Sequence, residues 1–366
     1  MPVDFIALAN TGVQKLQPYQ PGKPIEELER ELGITDIVKL ASNESPLGPS
    51  PRALAAIRGQ LENLHRYPDG SGYRLKAALG ERLGVRASQI SLGNGSNDLL
   101  ELVARAWLRP DDEVVFSEHA FAVYPLVTLA CSARPVAVPA RDYGHDLPAM
   151  AEAITERTRI VFIANPNNPT GTWISAADLD HFLARVPKQV LVVLDEAYFE
   201  YVEESAYPDG ISRLTAHPNL IVTRTFSKMY GLSGLRVGYA ISSLDIAEVL
   251  NRVRQPFNCN SLALVAAEAA LDDHDYLEYA RDLNATGLAQ VAEGLEQLQL
   301  DYIPSVGNFI AFDCGRESMP VYEALLREGV IVRPIGGYGM PNHLRVSIGL
   351  PEENERFLEA LAQVLG

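Results

Sequence analysis

Residues 159–198, RIVFIANPNNPTGTWISAADLDHFLARVPKQVLVVLDEAY, contain two short β-rich runs separated by a helix-forming stretch. The runs are Arg159–Ala164 and Val190–Leu194, and the stretch between them is Ala176–Arg185. A strand, a helix and a second strand in this order predict a βαβ unit, in which the two strands lie parallel in one sheet.

The same alternation extends in both directions, from about residue 50 to about residue 255. Further helical patterns, such as Asn97–Leu108, separate the β-rich runs. The remaining strand candidates are Gln89–Leu92, Glu113–Phe116, Pro135–Val138, Leu220–Thr225 and Val237–Ile241. The sequence therefore predicts an α/β fold with a mostly parallel seven-stranded sheet and helices on both faces.

The two ends of the chain differ from this central region. Residues 1–45 are rich in turn formers and contain one short helical stretch, Ile25–Glu31, which indicates an arm rather than a domain. Beyond residue 256, a helix-forming stretch from about Tyr276 to Gln299 precedes a mixed series of strands and helices. That series is Asp301–Pro304, Phe309–Asp313, Val321–Glu328, Val330–Arg333, Leu344–Ile348 and Pro351–Leu365. We expect an arm (1–45) that joins a small α+β domain (256–366), and a large domain (46–255).

Composition excludes several classes of function. The net charge of −16, from 31 basic and 47 acidic residues, disfavours nucleic acid and anionic membrane surfaces as partners. Cys131, Cys259 and Cys314 form no CxxC pair, and the seven histidines show no metal-ligand spacing. We therefore expect no disulfide framework and no metal site, and a reducing cytoplasm fits. The N-terminus lacks a signal-peptide pattern, and the apolar runs are too short for a bilayer.

Ligands of an open parallel sheet bind beyond the carboxyl ends of its strands, so the residues that follow each predicted strand are candidate site residues. The first such segment is Gly93–Asp98, GNGSND, which leads directly into a helix. Backbone N–H groups at the start of that helix would form an anion pocket. The same segment also fits a plain strand-to-helix turn that is capped by Ser96 or Asn97.

Two further strand exits carry polar groups in restricted positions. Asn165–Gly171, NPNNPTG, is a rigid turn that would hold the Asn168 amide outward as a hydrogen-bond donor, whether or not the turn is also structural. Asp195 follows a buried strand, where a carboxylate needs a partner such as a protonated pyridine nitrogen. Asp195 could instead cap a helix. Glu196 could be the functional acid in its place, but Glu196 would point to the other side of the strand end.

The fourth exit is Thr225–Gly238, TFSKMYGLSGLRVG, which carries Lys228. A single lysine is usually a solvated surface group. This one follows a β-rich strand and two hydroxyl residues, enters a glycine-rich segment, and precedes Arg236 by eight residues. A lysine in a partly desolvated, cationic site has a lowered pKa and can attack a carbonyl group.

These segments together resemble the fold-type-I pyridoxal-phosphate (PLP) aminotransferases. NPNNPTG, DEAY and SK-x-x-G-L-x-G-L-R-x-G occur in this order, with Asp195 27 residues after Asn168 and Lys228 33 residues after Asp195. The resemblance covers nearly the whole chain. Four further segments resemble the histidinol-phosphate aminotransferase branch: QPYQ (17–20), LASNESP (40–46), RYP (66–68) and HLRVSIG (343–349).

The resemblance implies a role for each matching residue. Lys228 would carry PLP as a Schiff base and move a proton between substrate and cofactor, while Asp195 would hold the pyridine nitrogen charged. Asn168 and Tyr198 would bond the phenolic oxygen, and Tyr124 would stack on the ring. The phosphate would be bound by Ser96, Asn97, Thr225, Ser227 and Arg236.

The resemblance also implies a homodimer, because Tyr67 would reach the phosphate in the other subunit. At the substrate end, Arg345 would bind an anionic group, with Arg333 as a second charge and Tyr19 and Asn43 lining the pocket. An arginine binds a carboxylate or a phosphate equally, so Arg345 does not distinguish an amino acid from histidinol phosphate.

The implied reaction transfers an amino group between L-glutamate/2-oxoglutarate and imidazole-acetol phosphate/L-histidinol phosphate, a step of histidine biosynthesis. Three alternatives stay open at this stage. They are an aminotransferase for aromatic amino acids or their precursors, a threonine-phosphate decarboxylase, and a non-catalytic protein with the PLP fold. Because Lys228 and Asp195 are both present, the sequence favours an enzyme over the non-catalytic alternative.

Overall fold

The structure is a computed structural model that describes residues 3–366. The strands are β1 (Val38–Lys39), β2 (Ile90–Gly93), β3 (Glu113–Ser117), β4 (Arg134–Val138), β5 (Thr158–Ala164), β6 (Leu191–Asp195), β7 (Leu220–Thr225), β8 (Gly238–Ile241), β9 (Tyr302–Ile303), β10 (Phe309–Asp313), β11 (Val330–Ile331), β12 (Arg333–Pro334) and β13 (His343–Ser347). The α-helices are α1 (Ile25–Leu32), α2 (Pro51–Gln60), α3 (Tyr73–Leu83), α4 (Ser96–Trp107), α5 (Val123–Ala130), α6 (Leu147–Glu152), α7 (Ala176–Arg185), α8 (Leu244–Val253), α9 (Ser261–Leu271), α10 (His274–Gln297), α11 (Ser318–Arg327) and α12 (Pro351–Leu365).

The large sheet has seven strands in the order β2-β8-β7-β6-β5-β3-β4. β8 runs antiparallel to both of its neighbours, and the other pairs in the sheet are parallel. All seven predicted strands lie in this sheet within one or two residues of their expected ends, and the predicted fold class is confirmed. Ala164 pairs with Asp195, and Asp195 pairs with Thr223, so the ends of β5, β6 and β7 lie side by side.

Both faces of the large sheet are buried except at the edge strand β4, because side chains alternate between two apolar cores along the other strands. In β5, for example, Val161 and Ile163 pack into one core, and Ile160 and Phe162 pack into the other. Helices cover both cores. This burial explains why the strands read as nearly continuous apolar runs in the sequence.

A second, antiparallel sheet of order β12-β13-β10-β9 lies in the C-terminal part of the chain, beside a separate apolar core. The prediction of a single strand at Val330–Arg333 was wrong. Its first half, β11, pairs in parallel with β1 of the arm, whereas its second half, β12, pairs with β13. Val332, between the two halves, is buried in the C-terminal core.

The arm is attached by this β1–β11 pairing and by a small apolar cluster in which Leu28 and Ala41 pack with Leu326 and Ile331. It thereby brings residues 41–43 to the edge of the large sheet. The domain limits stay a prediction. Helix α9, which follows the predicted limit at residue 255, packs against α2 and α3, which precede that limit. Within residues 3–366, every helix is too short or too polar to cross a lipid bilayer.

Candidate active site

A cavity of about 200 Å³ lies where β5, β6 and β7 end, and it is bounded by the arm and by β12 and β13. Thirteen of the fifteen predicted site residues line it. They are Tyr19, Asn43, Ser96, Asn97, Asn168, Asp195, Tyr198, Thr225, Ser227, Lys228, Arg236, Arg333 and Arg345. In the described part of the chain, no three His, Cys, Asp or Glu side chains come together as candidate metal ligands.

Lys228 lies three residues beyond the end of β7. Its Nζ donates a hydrogen bond to the backbone carbonyl of Ser42 at 3.2 Å and lies 5.6 Å from the centre of the Tyr198 ring. Burial and, second, the positive charge of Arg345 lower the pKa of Lys228 to about 7. A large fraction of the amine is therefore neutral near pH 7, and the neutral amine is the form that attacks a carbonyl carbon.

Asp195 is the last residue of β6 and is 5% exposed. The hydroxyl of Thr223 donates to its Oδ1 at 3.0 Å, and the hydroxyl of Tyr124 donates to its Oδ2 at 3.1 Å. Burial raises the pKa of Asp195 to about 6, while these two hydrogen bonds act in the opposite direction. The group is thus largely a carboxylate at pH 7 and can pair with a protonated ring nitrogen.

Glu196, the neighbouring acid, is fully buried on the other side of the strand end. Its Oε2 accepts a hydrogen bond from Arg224 at 2.9 Å, and its Oε1 accepts one from the backbone of Gly210 at 2.9 Å. Because both oxygens are engaged inside the protein, Glu196 is a structural ion-pair partner, and Asp195 is the acid that faces the cavity.

The structure does not place Tyr124 where the predicted ring stacking requires it. Its side chain is fully buried, stacks on Phe162 with ring centres 4.6 Å apart, and donates its hydroxyl proton to Asp195. Tyr124 lies in the first turn of α5, and this turn directs it beneath the sheet end. Phe121, three residues earlier, lines the cavity instead and is the aromatic side chain available to stack on a bound ring.

Two donors face the cavity from the turn after β5 and the segment after β6. Arg345 donates from Nη1 to Oδ1 of Asn168, which leaves the Asn168 Nδ2 protons free for another acceptor. Asn43 donates from Nδ2 to the Tyr198 hydroxyl at 2.9 Å, so Tyr198 keeps its own proton to donate. Burial raises the pKa of Tyr198 to about 12, which keeps the phenol protonated.

At the start of α4 the cavity forms a cup, which is lined by Ser96, Asn97, Thr225, Ser227 and Arg236. The backbone of Arg236 has a left-handed φ of 55°, and its side chain donates a hydrogen bond from Nη1 to Ser227 Oγ at 3.1 Å. Two glycines keep the cup open. A Cβ on Gly95 would lie 2.3 Å from the Arg236 guanidinium, and a Cβ on Gly238 would lie 2.6 Å from the backbone nitrogen of Ser96. The backbone N–H groups, the hydroxyls and the arginine suit a phosphate group.

Two other predicted phosphate ligands line the same cup. Thr225 is buried, and its hydroxyl accepts a hydrogen bond from the backbone of Ser227 at 3.1 Å. Asn97 is exposed at the rim, in the first turn of α4.

The far end of the cavity carries two arginines from the C-terminal sheet. Arg345 is 6% exposed, donates to the carbonyl of Ala41 at 2.8 Å, and keeps a buried Nε that has no partner in the described structure. Arg333 donates to the carbonyl of Gln20 at 2.5 Å, and its Cζ lies 5.4 Å from the ring centre of Tyr19. The two side chains give this end a positive charge suited to an anionic substrate group.

Tyr67 is the second predicted residue that lies outside the cavity of its own chain. It is 83% exposed, and its ring stacks on that of Phe257 with centres 4.7 Å apart. Because Tyr67 does not line the cavity of its own chain, its phenol can contact a phosphate cup only if that cup belongs to another subunit.

These groups fit the predicted cofactor, PLP. One cavity is lined by the amine of Lys228, the buried carboxylate of Asp195, the cup, and the two donors Asn168 and Tyr198 that suit the phenolic oxygen of PLP. Three residues of the site were not predicted from the sequence: Phe121, Ser42 and Thr223. Phe121 has a signal in the sequence, since it is an aromatic residue five positions after the predicted strand Glu113–Phe116, whereas the backbone carbonyl of Ser42 has none.

Comparison with known proteins indicates a single family. The sequence model of the family aminotransferase class I and II matches residues 35–361. Histidinol-phosphate aminotransferase 2 of Pseudomonas aeruginosa is 66% identical over 364 residues, which are 99% of each chain. Histidinol-phosphate aminotransferase 1 of Nitrosococcus oceani is 57% identical, covering 99% of this chain and 98% of the relative.

Among solved structures, the chain is similar to histidinol-phosphate aminotransferase from Sinorhizobium meliloti in complex with pyridoxal-5'-phosphate. The two share 32% sequence identity with a TM-score of 0.91, and the match covers 97% of this chain and 96% of that one.

Proposed function

Because the chain belongs to the class I and II aminotransferase family, we propose that it is a PLP-dependent histidinol-phosphate aminotransferase. It would transfer the amino group between L-glutamate/2-oxoglutarate and imidazole-acetol phosphate/L-histidinol phosphate, in histidine biosynthesis. The observation that carries this proposal is the 66% identity to a relative of that name over 99% of both chains. The geometry of the cavity supports it, since an amine, a phosphate cup and a doubly cationic end lie around one space.

When bound, PLP supplies an electron-withdrawing ring that stabilises negative charge on the substrate carbon next to the amino group. Lys228 would bind the cofactor through Nζ and, once released, would move the proton of that substrate carbon as base and then acid. Its lowered pKa of about 7 suits both roles near neutral pH, since each requires the amine to change protonation state.

Other side chains would orient the ring and hold its charge. Asp195 would keep the ring nitrogen protonated, and Tyr124 and Thr223 would fix that carboxylate in place. Asn168 and Tyr198 would donate to the phenolic oxygen, and Phe121 would cover one ring face. The cup around Ser96, Asn97, Thr225, Ser227 and Arg236 would anchor the phosphate.

The two arginines at the far end would select an anionic substrate. Arg345 and Arg333 together match the charge of a phosphate monoester. In the second half-reaction Arg345 would bind the α-carboxylate of glutamate, which takes the position of the phosphate ester. Tyr19 would cover this end, because it packs against the Arg333 guanidinium and lines the same cavity as Asn43.

We also propose a homodimer, in which Tyr67 of each subunit reaches the phosphate cup of the other. The support is a group of exposed apolar side chains near Tyr67 in sequence: Leu61, Leu64 and Tyr73, which are 48%, 54% and 72% exposed. Several large apolar side chains that are exposed within one short segment favour a surface that a partner covers. We place the enzyme in the cytoplasm, since Cys131, Cys259 and Cys314 are all free thiols.

The substrate assignment is tested by comparing kcat/KM for histidinol phosphate, phenylalanine and tyrosine with 2-oxoglutarate as the acceptor. We expect histidinol phosphate to give the highest value, and Arg333→Gln to lower kcat/KM for it more than for phenylalanine, which lacks the phosphate. A preference of the wild-type enzyme for phenylalanine would refute the assignment and favour an aromatic aminotransferase.

A further inference from the structure

A set of hydrogen bonds lies behind the phosphate cup, outside the cavity. Asp98 in α4 accepts a hydrogen bond on Oδ2 from the backbone N–H of Asn94 at 2.8 Å, and a second one from Asn258 Nδ2 at 2.9 Å. Asn258 Nδ2 also donates to the carbonyl of Leu92 at 3.0 Å. The two side chains therefore fix the backbone on both sides of Gly93, where the cup begins.

The same asparagine is connected to a second, distant loop. Its Oδ1 accepts a hydrogen bond from Arg254 Nη1 at 2.8 Å, and Arg254 Nη2 donates to the carbonyl of Gly70 at 2.9 Å. Gly70 lies in the loop before α3, and a Cβ on it would lie 3.2 Å from the ring of Phe257. That ring stacks on Tyr67. An unbroken series of contacts thus runs from the cup to Tyr67.

We propose that Arg254 and Asn258 are positioning residues that connect the two active sites of the dimer. This inference rests on the proposed function, in which Tyr67 binds the phosphate in the partner subunit. Asn258 positions the cup of its own subunit. Arg254 positions the loop that carries Tyr67, and so acts on the site of the other subunit. Neither side chain lines the cavity, so their effect is transmitted through the groups they hold.

Arg254 is suited to this role because its guanidinium presents donors in a rigid fork, which reaches two acceptors at fixed positions. A methionine at this position keeps the apolar stem but donates to neither Asn258 nor Gly70. The loop at Gly70 then loses its hydrogen bond to residue 254, and Tyr67 becomes less ordered. Loss of one such bond weakens binding by roughly fivefold.

Mixed dimers test the direction of the effect. One subunit carries Lys228→Ala and therefore cannot give the visible absorption of lysine-bound PLP, so that absorption reports only the site of the other subunit. The two subunits are co-expressed with different tags, purified as the mixed dimer, stripped of cofactor and titrated with PLP. We expect Arg254→Met in the silent subunit to raise the Kd at the reporting site by roughly fivefold. Asn258→Ala should raise this Kd when placed in the reporting subunit.

Two control variants distinguish a failure of this inference from a failure of the proposed dimeric site. Arg252→Met, on the exposed face of α8, removes a guanidinium two residues away and should leave the Kd unchanged in either subunit. Tyr67→Phe in the silent subunit should raise the Kd at the reporting site. If it does not, the proposed dimeric site is wrong. If Tyr67→Phe acts across the dimer while Arg254→Met leaves the Kd unchanged, only the connection is overturned. An equal effect of Arg252→Met would also overturn it.

Discussion

In the proposed function, the pKa of Lys228 would control how the unliganded enzyme captures its cofactor. The neutral amine is reactive and the protonated amine is not, so the capture rate should rise with pH. With a pKa of about 7, the midpoint of this rise should lie near pH 7, rather than near the ordinary lysine value of 10.5. Stopped-flow absorbance of the apoenzyme mixed with PLP measures the rate across this pH range.

Arg345→Gln provides the matching variant. The positive charge of Arg345 lowers the pKa of Lys228, so its removal should raise that pKa and move the midpoint to higher pH. Arg333→Gln removes an arginine from the same cavity and serves as the control. A midpoint that stays in place, or moves to lower pH, in Arg345→Gln would contradict the electrostatic account of the lowered pKa.

Individual residues also show how far the sequence predicts the site. Lys228, Asp195 and Asn168 follow predicted strands, and a strand end fixes where the chain leaves the sheet. Phe121 and Tyr124 lie three residues apart around the start of a helix, and both are aromatic. The choice between them depends on the direction in which the helix presents each side chain against the sheet, which the pattern of residue types does not contain.

Among the elements, β8 is the strand whose first residue, Gly238, lies against the backbone of Ser96 in the cup. In Gly238→Ala, the new Cβ would lie 2.6 Å from the Ser96 nitrogen and 2.9 Å from the Arg224 carbonyl, both of which are backbone atoms. The start of α4 must shift, and we expect PLP affinity to fall by roughly tenfold, as for other overpacked positions. Titration of the apoenzyme with PLP measures the change.

Gly234→Ala is the matched control, since a Cβ there meets nothing within 4 Å. It should leave the PLP affinity unchanged. Equal losses in the two variants would show that the segment is sensitive to any substitution and would remove the steric explanation.

The elements that the sequence predicts best are those whose pattern is local. Every strand of the large sheet except the edge strand β4 is a run of buried residues, so its identity does not depend on knowing its neighbours. Val330–Arg333 reads as one strand by the same criterion. Its division into β11 and β12 depends on two different partners, β1 and β13, which lie far away in the sequence. β1 itself has two residues, too few for any pattern.

At the scale of the whole molecule, the C-terminal part has its own apolar core, in which Phe312 and Phe357 pack with ring centres 5.9 Å apart. Both side chains are fully buried. Phe357→Ala should lower the free energy of unfolding by about 3–5 kcal/mol. Urea unfolding of the apoenzyme, followed by circular dichroism, measures this loss.

Tyr279→Ala is the comparison, because it removes an aromatic ring from α10 at a position that is 58% exposed. Its effect on the free energy of unfolding should stay within about 0.5 kcal/mol. A loss in Tyr279→Ala as large as that in Phe357→Ala would indicate that burial does not account for the loss in Phe357→Ala.

The contacts of Ser42 and Arg345 have a consequence for the order in which the protein acquires activity during its synthesis. Lys228 bonds to the arm at the start of the chain, and Arg345 near its end bonds to Asn168 and to Ala41. A ribosome-bound chain that stops short of β13 can already contain every strand of the large sheet, yet it lacks the arginine that closes the substrate end. If Arg345 binds the substrate as proposed, translation must be almost complete before the nascent enzyme can bind it.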